Sequence, residues 1–358
     1  MPVIKDLTVQ AVREPVSRRE YTFLTVHTDT GVTGLGEASG APAAVAAVLP
    51  EVKKLLAGQD ATAVENCRRV LTGGPGEMAL AGVNSALLDI TGKIAKVPVY
   101  QVLGGPTRFK ARAAASLHGR TPQELLDSLK QEQPAGFRTF LVPLSPPATR
   151  NQGQAFVRGV RRLLEQLRTA AGDGTDFVLD CQGALTPGDS QMLAKELESL
   201  HLLWLDEPCP ALNVSAAAKI SGDSVTPVGF GRHVTRNSEF QDLLRQEALD
   251  VIRPDIARHG ISQIRRAAAL AETYYVAVAP FHRGGPVATA ACLHLAAAIP
   301  NFVVQEIPWP AAGEDRRMRA ELVGVGVESA TEGFFQLPTG PGLGISLNPD
   351  AVQKYRAL

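Results

Sequence analysis

Eight short apolar runs recur along the second part of this chain: ARAAASL (111–117), FRTFLVPL (137–144), FVLDC (177–181), LLWLDE (202–207), PVGFG (227–231), LDVIRPD (249–255), YVAVAP (275–280) and FVVQEI (302–307). Between most of them lies a helix-length amphipathic segment, such as PGDSQMLAKELESL or ISQIRRAAALAET. A strand that is apolar along its whole length is buried on both faces, which points to a parallel sheet. Eight β/α units close most simply into a (β/α)8 barrel. An open, doubly wound sheet is the alternative, and the lack of a GxGxxG after an early strand argues against it.

The first hundred residues have a different rhythm. KDLTVQAVR and EYTFLTVHT read as strands, and TDTGVTGLGE as a turn followed by a short strand. From Ala41 to Val102 the pattern turns helical, with NSALLDITGKIAKV at helical spacing and Pro98 and Gly104-Gly105 closing the section. The expected organisation is an α+β domain over 1–108, a barrel over 109–330 and a segment over 331–358 that packs back on the first domain.

In such a barrel the chemistry sits at the C-terminal ends of the strands. Taken in order, those ends carry His118; Leu141 and Pro143; Asp180 and Gln182; Asp206 and Glu207; Arg232 and His233; Asp255; Phe281, His282 and Arg283; and Glu306. A single strand-end Asp is often only a helix N-cap. A whole ring of ionisable groups is harder to explain that way, and carboxylates crowded into one mouth require a cation, whether metal or side chain.

The bulk numbers exclude other classes. The 36 basic and 36 acidic residues balance, so the clustered positive surplus of a nucleic-acid binder is not expected. No apolar run reaches the roughly 20 residues of a membrane span, and MPVIKDLTVQ lacks a signal-peptide layout. Cys67, Cys181, Cys209 and Cys292 are scattered without a CxxC pair, as expected of free thiols in a reducing cytoplasm.

Several stretches resemble the enolase superfamily, in its mandelate racemase and muconate lactonizing enzyme branch. GVTGLGEAS is similar to that family's capping-domain hairpin, SALLDITGKIAKVPVYQVLGG to the helix and linker into its barrel, FVLDCQGALTP to its third strand and LLWLDEPCP to its W-[IL]-E-E-P strand. LDVIRPDIARHGIS and PGLGISLNPDAVQKY also fit. The resemblance implies a modified TIM (β/α)8 barrel with an N-terminal α+β capping domain. It further implies proton abstraction beside a carboxylate, with Mg²⁺ held by three acids stabilising the enediolate, and a homo-oligomer. VAPFHRGGPVATAACLHLAAAIPNFVVQE is closest in look to the acid-sugar dehydratases.

Carried over residue by residue, Asp180 matches the first metal-ligand position and Asp206 the second, with Asp for the usual Glu. Arg232 stands at the third, and a guanidinium has no lone pair for a metal. Leu141 and Pro143 stand where the family has K-x-K, and neither moves a proton. Asp255 matches the Asp of a His-Asp dyad, but Phe281 follows Ala279-Pro280 where the His belongs, and His282 comes one residue later. Glu306 matches the acid ending the eighth strand.

The expectation is that Arg232 replaces the metal as an internal cation between Asp180 and Asp206, so that no cofactor is needed. Arg232, His233, His282, Arg283 and His118 would then form a pocket for a small-molecule carboxylate, with Gln182 also touching it. His282, Asp255, Arg232, Glu306 and His233 would carry dehydration or epimerisation of a hydroxy acid or sugar acid. One alternative is an inactive ligand-binding or assembly homologue. Another is a Mg²⁺-dependent acid-sugar dehydratase whose third ligand comes from Asp255 or Glu207. Specificity is expected from capping loops at Glu14 to Arg19 and near Ser39 to Ala44.

Overall fold

The computed structural model describes residues 1–145, 153–211, 213–324 and 326–357. The chain opens with β1 (Ile4–Arg13), β2 (Glu20–Thr28) and β3 (Thr33–Ala38), an antiparallel sheet in that order. One face is covered by α1 (Pro42–Leu56), α2 (Val64–Leu71) and α3 (Leu80–Ala95), through a core that includes Leu7, Leu24, Val26, Val83 and Leu87. Helix α3 is buried over most of its length, as its sequence LAGVNSALLDITGKIA allows, and stops where Lys96 turns left-handed. The short α4 (Val99–Val102) leads out of this domain.

The β/α alternation follows: β4 (Lys110–Ser116), α5 (Pro122–Glu132), β5 (Thr139–Pro143), α6 (Gly153–Ala171), β6 (Asp176–Asp180), α7 (Pro187–Leu197), β7 (Leu205–Asp206), α8 (Val214–Gly222), β8 (Val228–Phe230), α9 (Asn237–Arg245), β9 (Val251–Ile252), α10 (Ile256–Glu272), β10 (Ala277–Val278), α11 (Pro286–Ala298) and β11 (Gln305–Ile307). Each of the eight apolar runs holds one of these strands. Strands β4 to β10 pair in parallel in chain order, and β11 returns to pair with β4. Between β10 and β11 the ladder is broken, and the approach rests on the Val278–Phe302 bridge, with Val278 N–H donating to Asn301 O at 2.8 Å and Val303 N–H to Val278 O at 2.9 Å.

Capping explains where several helices begin. Thr121 closes a capping box with Glu124 on α5, and Thr186 and Asp255 accept first-turn N–H groups of α7 and α10. The barrel interior is filled by Ala114, Leu141, Val178, Trp204, Val251, Ala279 and Val304. Gly229 on β8 adds no side chain to this layer, because a Cβ there would sit 2.6 Å from the Trp204 ring. This small-beside-large packing raises a solid floor beneath the strand ends.

The chain finishes with α12 (Gly313–Val323), β12 (Ala330–Thr331), β13 (Phe334–Gln336) and α13 (Pro349–Lys354). β13 pairs antiparallel with the start of β4, and the tail meets β1 through Arg13 N–H to Tyr355 O (2.8 Å) and Ala357 N–H to Ala11 O (2.9 Å). All four cysteines are free and buried. Among the described residues no helix is long and apolar enough to cross a membrane.

Candidate active site

Register brings the acids together. Asp180 ends β6 and lies opposite Asp206 on β7, which lies opposite Gly229 on β8. Across the barrel, Glu306 on β11 lies beside Ala114 of β4. Strand β8 ends at Phe230, and Gly231 follows it with a φ of +129°, a conformation L side chains rarely adopt. The turn there hands over to Arg232, and Glu207 fixes it: one carboxylate oxygen accepts the N–H groups of both Gly231 and Arg232, each at 2.7 Å.

Arg232 then reaches all three acids. Its Nη1 donates to Asp180 Oδ2 at 2.9 Å, and its Nη2 lies 2.6 Å from both oxygens of Glu306. Its Nε is 3.1 Å from Asp206 Oδ2, yet this contact lacks hydrogen-bond alignment, so it is an ion pair only. The Arg232 side chain is 8% exposed.

A second guanidinium completes the cluster. Arg253, fully buried just after β9, donates from Nε to Asp206 Oδ1 at 2.9 Å, from Nη1 to Ala279 O at 2.5 Å and from Nη2 to Glu306. Trp204 Nε1 also donates to Asp206 Oδ1 at 2.9 Å. The Phe281 ring lies 4.8 Å from the Arg232 guanidinium carbon and 5.6 Å from that of Arg253, and Trp204 lies 5.2 Å from Arg253. Aromatic faces thus share in holding two like charges close together. The expected pairing of Arg232 with two acids, Asp180 and Asp206, is therefore corrected to three acids and two arginines, whose formal charges sum to one negative.

The electrostatics follow from this geometry. Burial works to raise the Glu306 carboxyl, but Arg232 and Arg253 outweigh it and bring it down to about 2. Burial pushes Asp180 up, with Arg232 opposing. Burial and the neighbouring Asp206 push Glu207 up to about 7. Although burial works against its charge, the three acids hold Arg232 firmly cationic.

The expected His-Asp dyad is not assembled. Asp255 caps α10, accepting Ala257 N–H at 2.9 Å, and among the described residues no hydrogen bond or ion pair joins it to His282. The alternation along the chain is the cause: Phe281 faces the arginines, so its neighbour faces away. His282 is buried with Nε2 3.1 Å from Thr289 Oγ1, and burial followed by the charge of Arg319 lowers its pKa to about 3.

The broad cationic pocket is corrected too. Arg232 spends its donors on the acids. His233 and Arg283 are exposed, without a hydrogen bond or ion pair to the cluster among the described residues. Gln182 is exposed and contributes its backbone N–H to Asp180 Oδ1 at 3.1 Å. His118 is half-buried, with Nε2 2.8 Å from Trp309 O. Leu141 is a buried part of the barrel interior.

Sequence reasoning missed Arg253, although a charge inside the apolar run LDVIRPD was a usable signal, since a buried charge needs partners. It also missed how the Glu14 to Arg19 loop is held. Val16 and Ser17 N–H groups donate to Asp315 at 2.8 and 2.9 Å, and Arg19 Nη1 donates to Pro308 O at 3.1 Å.

The resemblance implies Mg²⁺, and the donor set does not fit it as arranged. Arg232 binds the carboxylate oxygens a metal would need and would place a positive charge against the ion. Among the described residues no group of three His, Cys, Asp or Glu is disposed to hold a metal.

Comparison with known proteins agrees with the architecture. Residues 3–104 match the mandelate racemase/muconate lactonizing enzyme N-terminal domain, and residues 125–351 match the enolase C-terminal domain-like family. A D-galactonate dehydratase from Pectobacterium atrosepticum is 32% identical over 346 residues, covering 93% of this chain and 90% of that protein. Among solved structures, a mandelate racemase/muconate lactonizing enzyme from Jannaschia sp. CCS1 superposes with a TM-score of 0.89 at 26% identity, covering 99% of this chain and 98% of the other. A mandelate racemase/muconate lactonizing enzyme-like protein from Rubrobacter xylanophilus DSM 9941 gives 0.88 at 27% identity, with the same coverage. With both halves matched, the chain belongs to the enolase superfamily, in its mandelate racemase/muconate lactonizing enzyme branch.

Proposed function

We propose that this protein is a lyase of the dehydratase type acting on a hydroxy acid or sugar acid, with Arg232 and Arg253 as the resident cations of the site. The observation that carries this reading is the placement of Arg232 among Asp180, Asp206 and Glu306. Three carboxylates so close cannot all stay ionised without a cation, and a preorganised guanidinium supplies one without binding a metal. The choice of acid sugars as substrate class rests on the similarity to D-galactonate dehydratase along nearly the whole chain.

A second reading has its own observation. Asp255 caps a helix and His282 is turned onto Thr289, so the site could hold an acid sugar without turning it over. A panel of acid sugars including D-galactonate, assayed with and without EDTA, separates the two. Turnover that survives chelation is the expected result. Turnover abolished by EDTA overturns the arginine's role as resident cation. A melting temperature raised by an acid sugar, with no turnover, establishes the second reading instead.

A further inference from the structure

Arg232 is delivered by a turn, and that turn is pinned at both ends. Val234 N–H donates to Gly231 O at 3.1 Å, which closes a β-turn with Arg232 and His233 at its central positions. Glu207 holds the entry through the N–H groups of Gly231 and Arg232. The exit is held from α10, where His259 Nε2 lies 3.1 Å from the carbonyl oxygen of Val234. A carbonyl only accepts, so Nε2 carries the hydrogen. Phe240 of α9 touches both parts: its ring centroid is 5.8 Å from that of His259, and its Cε1 is 2.5 Å from where a Cβ on Gly231 would stand.

His259 is itself placed by a break in its helix. The Asp255 carbonyl accepts His259 N–H at 2.9 Å, closing a single turn just after the strand end that carries Arg253. The helix then leaves its path at Gly260, where φ is +69° and ψ is 170°. Past such a break the next N–H groups have no partner within the helix. One of them, on Ser262, donates at 3.0 Å to Asn84 Oδ1 of α3, and Asn84 Nδ2 lies 2.7 Å from Ser262 Oγ and donates to it. A side chain of the capping domain thus caps the longer piece of α10, just beyond the histidine that holds the Arg232 turn. Asn84, His259 and Val234 are all buried.

We propose that His259 is a positioning residue for Arg232: through the Val234 carbonyl it keeps the guanidinium in register with Asp180, Asp206 and Glu306, and Asn84 of the capping domain fixes the helix break from which it acts. The proposal goes beyond the dehydratase reading and holds whether the site turns an acid sugar over or only binds one. Distance is the physical reason. Arg232 meets its acids at 2.6 to 3.1 Å, and a turn that drifts by about 1 Å takes these contacts out of hydrogen-bond range. Without the imidazole, the Val234 carbonyl would be buried with no donor, a cost the turn relieves by opening. Burial lowers the pKa of His259 to about 4 despite the opposing bond to Val234, so at neutral pH the ring carries one hydrogen and this carbonyl takes it.

The test uses the full chain with ¹⁵N-labelled histidine and arginine. Long-range ¹H–¹⁵N spectra of the wild type should show His259 as the Nε2–H tautomer. The Nε–H signal of Arg232, identified by its loss in Arg232→Lys, should exchange slowly with solvent, as should those of the buried Arg253 and Arg319. In His259→Leu, which keeps bulk but no donor, the Arg232 signal should shift and exchange at least ~10-fold faster, while those of Arg253 and Arg319 stay in place. His259→Gln, whose amide nitrogen can still reach Val234 O, should restore the Arg232 signal. An Nδ1–H tautomer in the wild type overturns the proposal, and that measurement needs no variant. So does an Arg232 signal that is unchanged in His259→Leu, or one that moves together with those of Arg253 and Arg319, as a general loosening of the fold would produce. If His259→Leu does not fold, the tautomer and His259→Gln decide, and a Gln variant with a displaced Arg232 signal overturns the proposal.

Discussion

Arg232 meets Asp180, Asp206 and Glu306 from one guanidinium, which gives its removal a specific signature. In Arg232→Ala, Arg253 would face the three acids alone, and breaking a buried pair of this kind costs ~3–5 kcal/mol. The melting temperature should fall accordingly. The vacated space would then be lined by oxygen donors, which suit a hard divalent cation. Millimolar Mg²⁺ should therefore raise the melting temperature of Arg232→Ala and leave that of the wild type unchanged. A wild-type rise with Mg²⁺ would show that Arg232 yields its place to a metal. At this scale the sequence was only partly legible. Asp180, Asp206, Arg232 and Glu306 could be aligned because strand ends in a barrel converge by construction. Which of Phe281 and His282 faces inward depends on the backbone just past Pro280, and a one-residue step there reverses the side chain. Arg253 escaped because its partners lie on other strands, distant in the chain.

At the scale of elements, the strand that delivers Arg232 is governed by what it lacks. Gly229 leaves room for the Trp204 ring, and that ring in turn holds Asp206 through Nε1 and lies over Arg253. Adding a methyl group at Gly229 would push Trp204 at 2.6 Å and Asp206 Oδ1 at 3.0 Å. Overpacking of this kind costs ~1–3 kcal/mol. We expect Gly229→Ala to unfold at lower denaturant with an unchanged m-value, and its tryptophan emission to shift, because Trp204 is buried in the wild type. Unchanged emission and midpoint would mean that the β7–β8 floor is looser than this packing implies. The strands themselves were readable as apolar runs, since burial on both faces leaves little choice of residue. Their lengths were not. β7, β9 and β10 each keep only two residues in the ladder, and the rest of each run lies outside it, down to Tyr275 and Asp250, which are exposed.

Across the whole molecule, the two-domain plan was legible because strands and then helices give way to a strict β/α alternation. How the domains grip each other was not, because the contacts join residues far apart in the chain, from Asn84 with Ser262 to Glu37 with Ala288. Glu37, on the last strand of the capping sheet, is buried and accepts the N–H of Gly285 and, at 2.9 Å, that of Ala288, at the start of α11. The two donors and the positive end of a helix favour a carboxylate, but burial outweighs them and pushes Glu37 up to about 7. For an acid with a raised folded-state pKa, the folded state holds the proton more tightly than the unfolded chain does. Below about pH 4.5 both states are protonated and Glu37 costs nothing. As pH rises towards 7 the unfolded chain ionises first and stability falls, and above 7 the loss is complete at about 3 kcal/mol. Glu37→Gln should remove this loss, because a neutral amide oxygen can still accept from the helix start. Denaturant titrations at pH 5, 6, 7 and 8 should show wild-type stability falling relative to the variant across this window. A constant difference between the two would mean that the helix N-terminus keeps Glu37 ionised throughout, making this contact a charged clasp between the domains and not a protonated one.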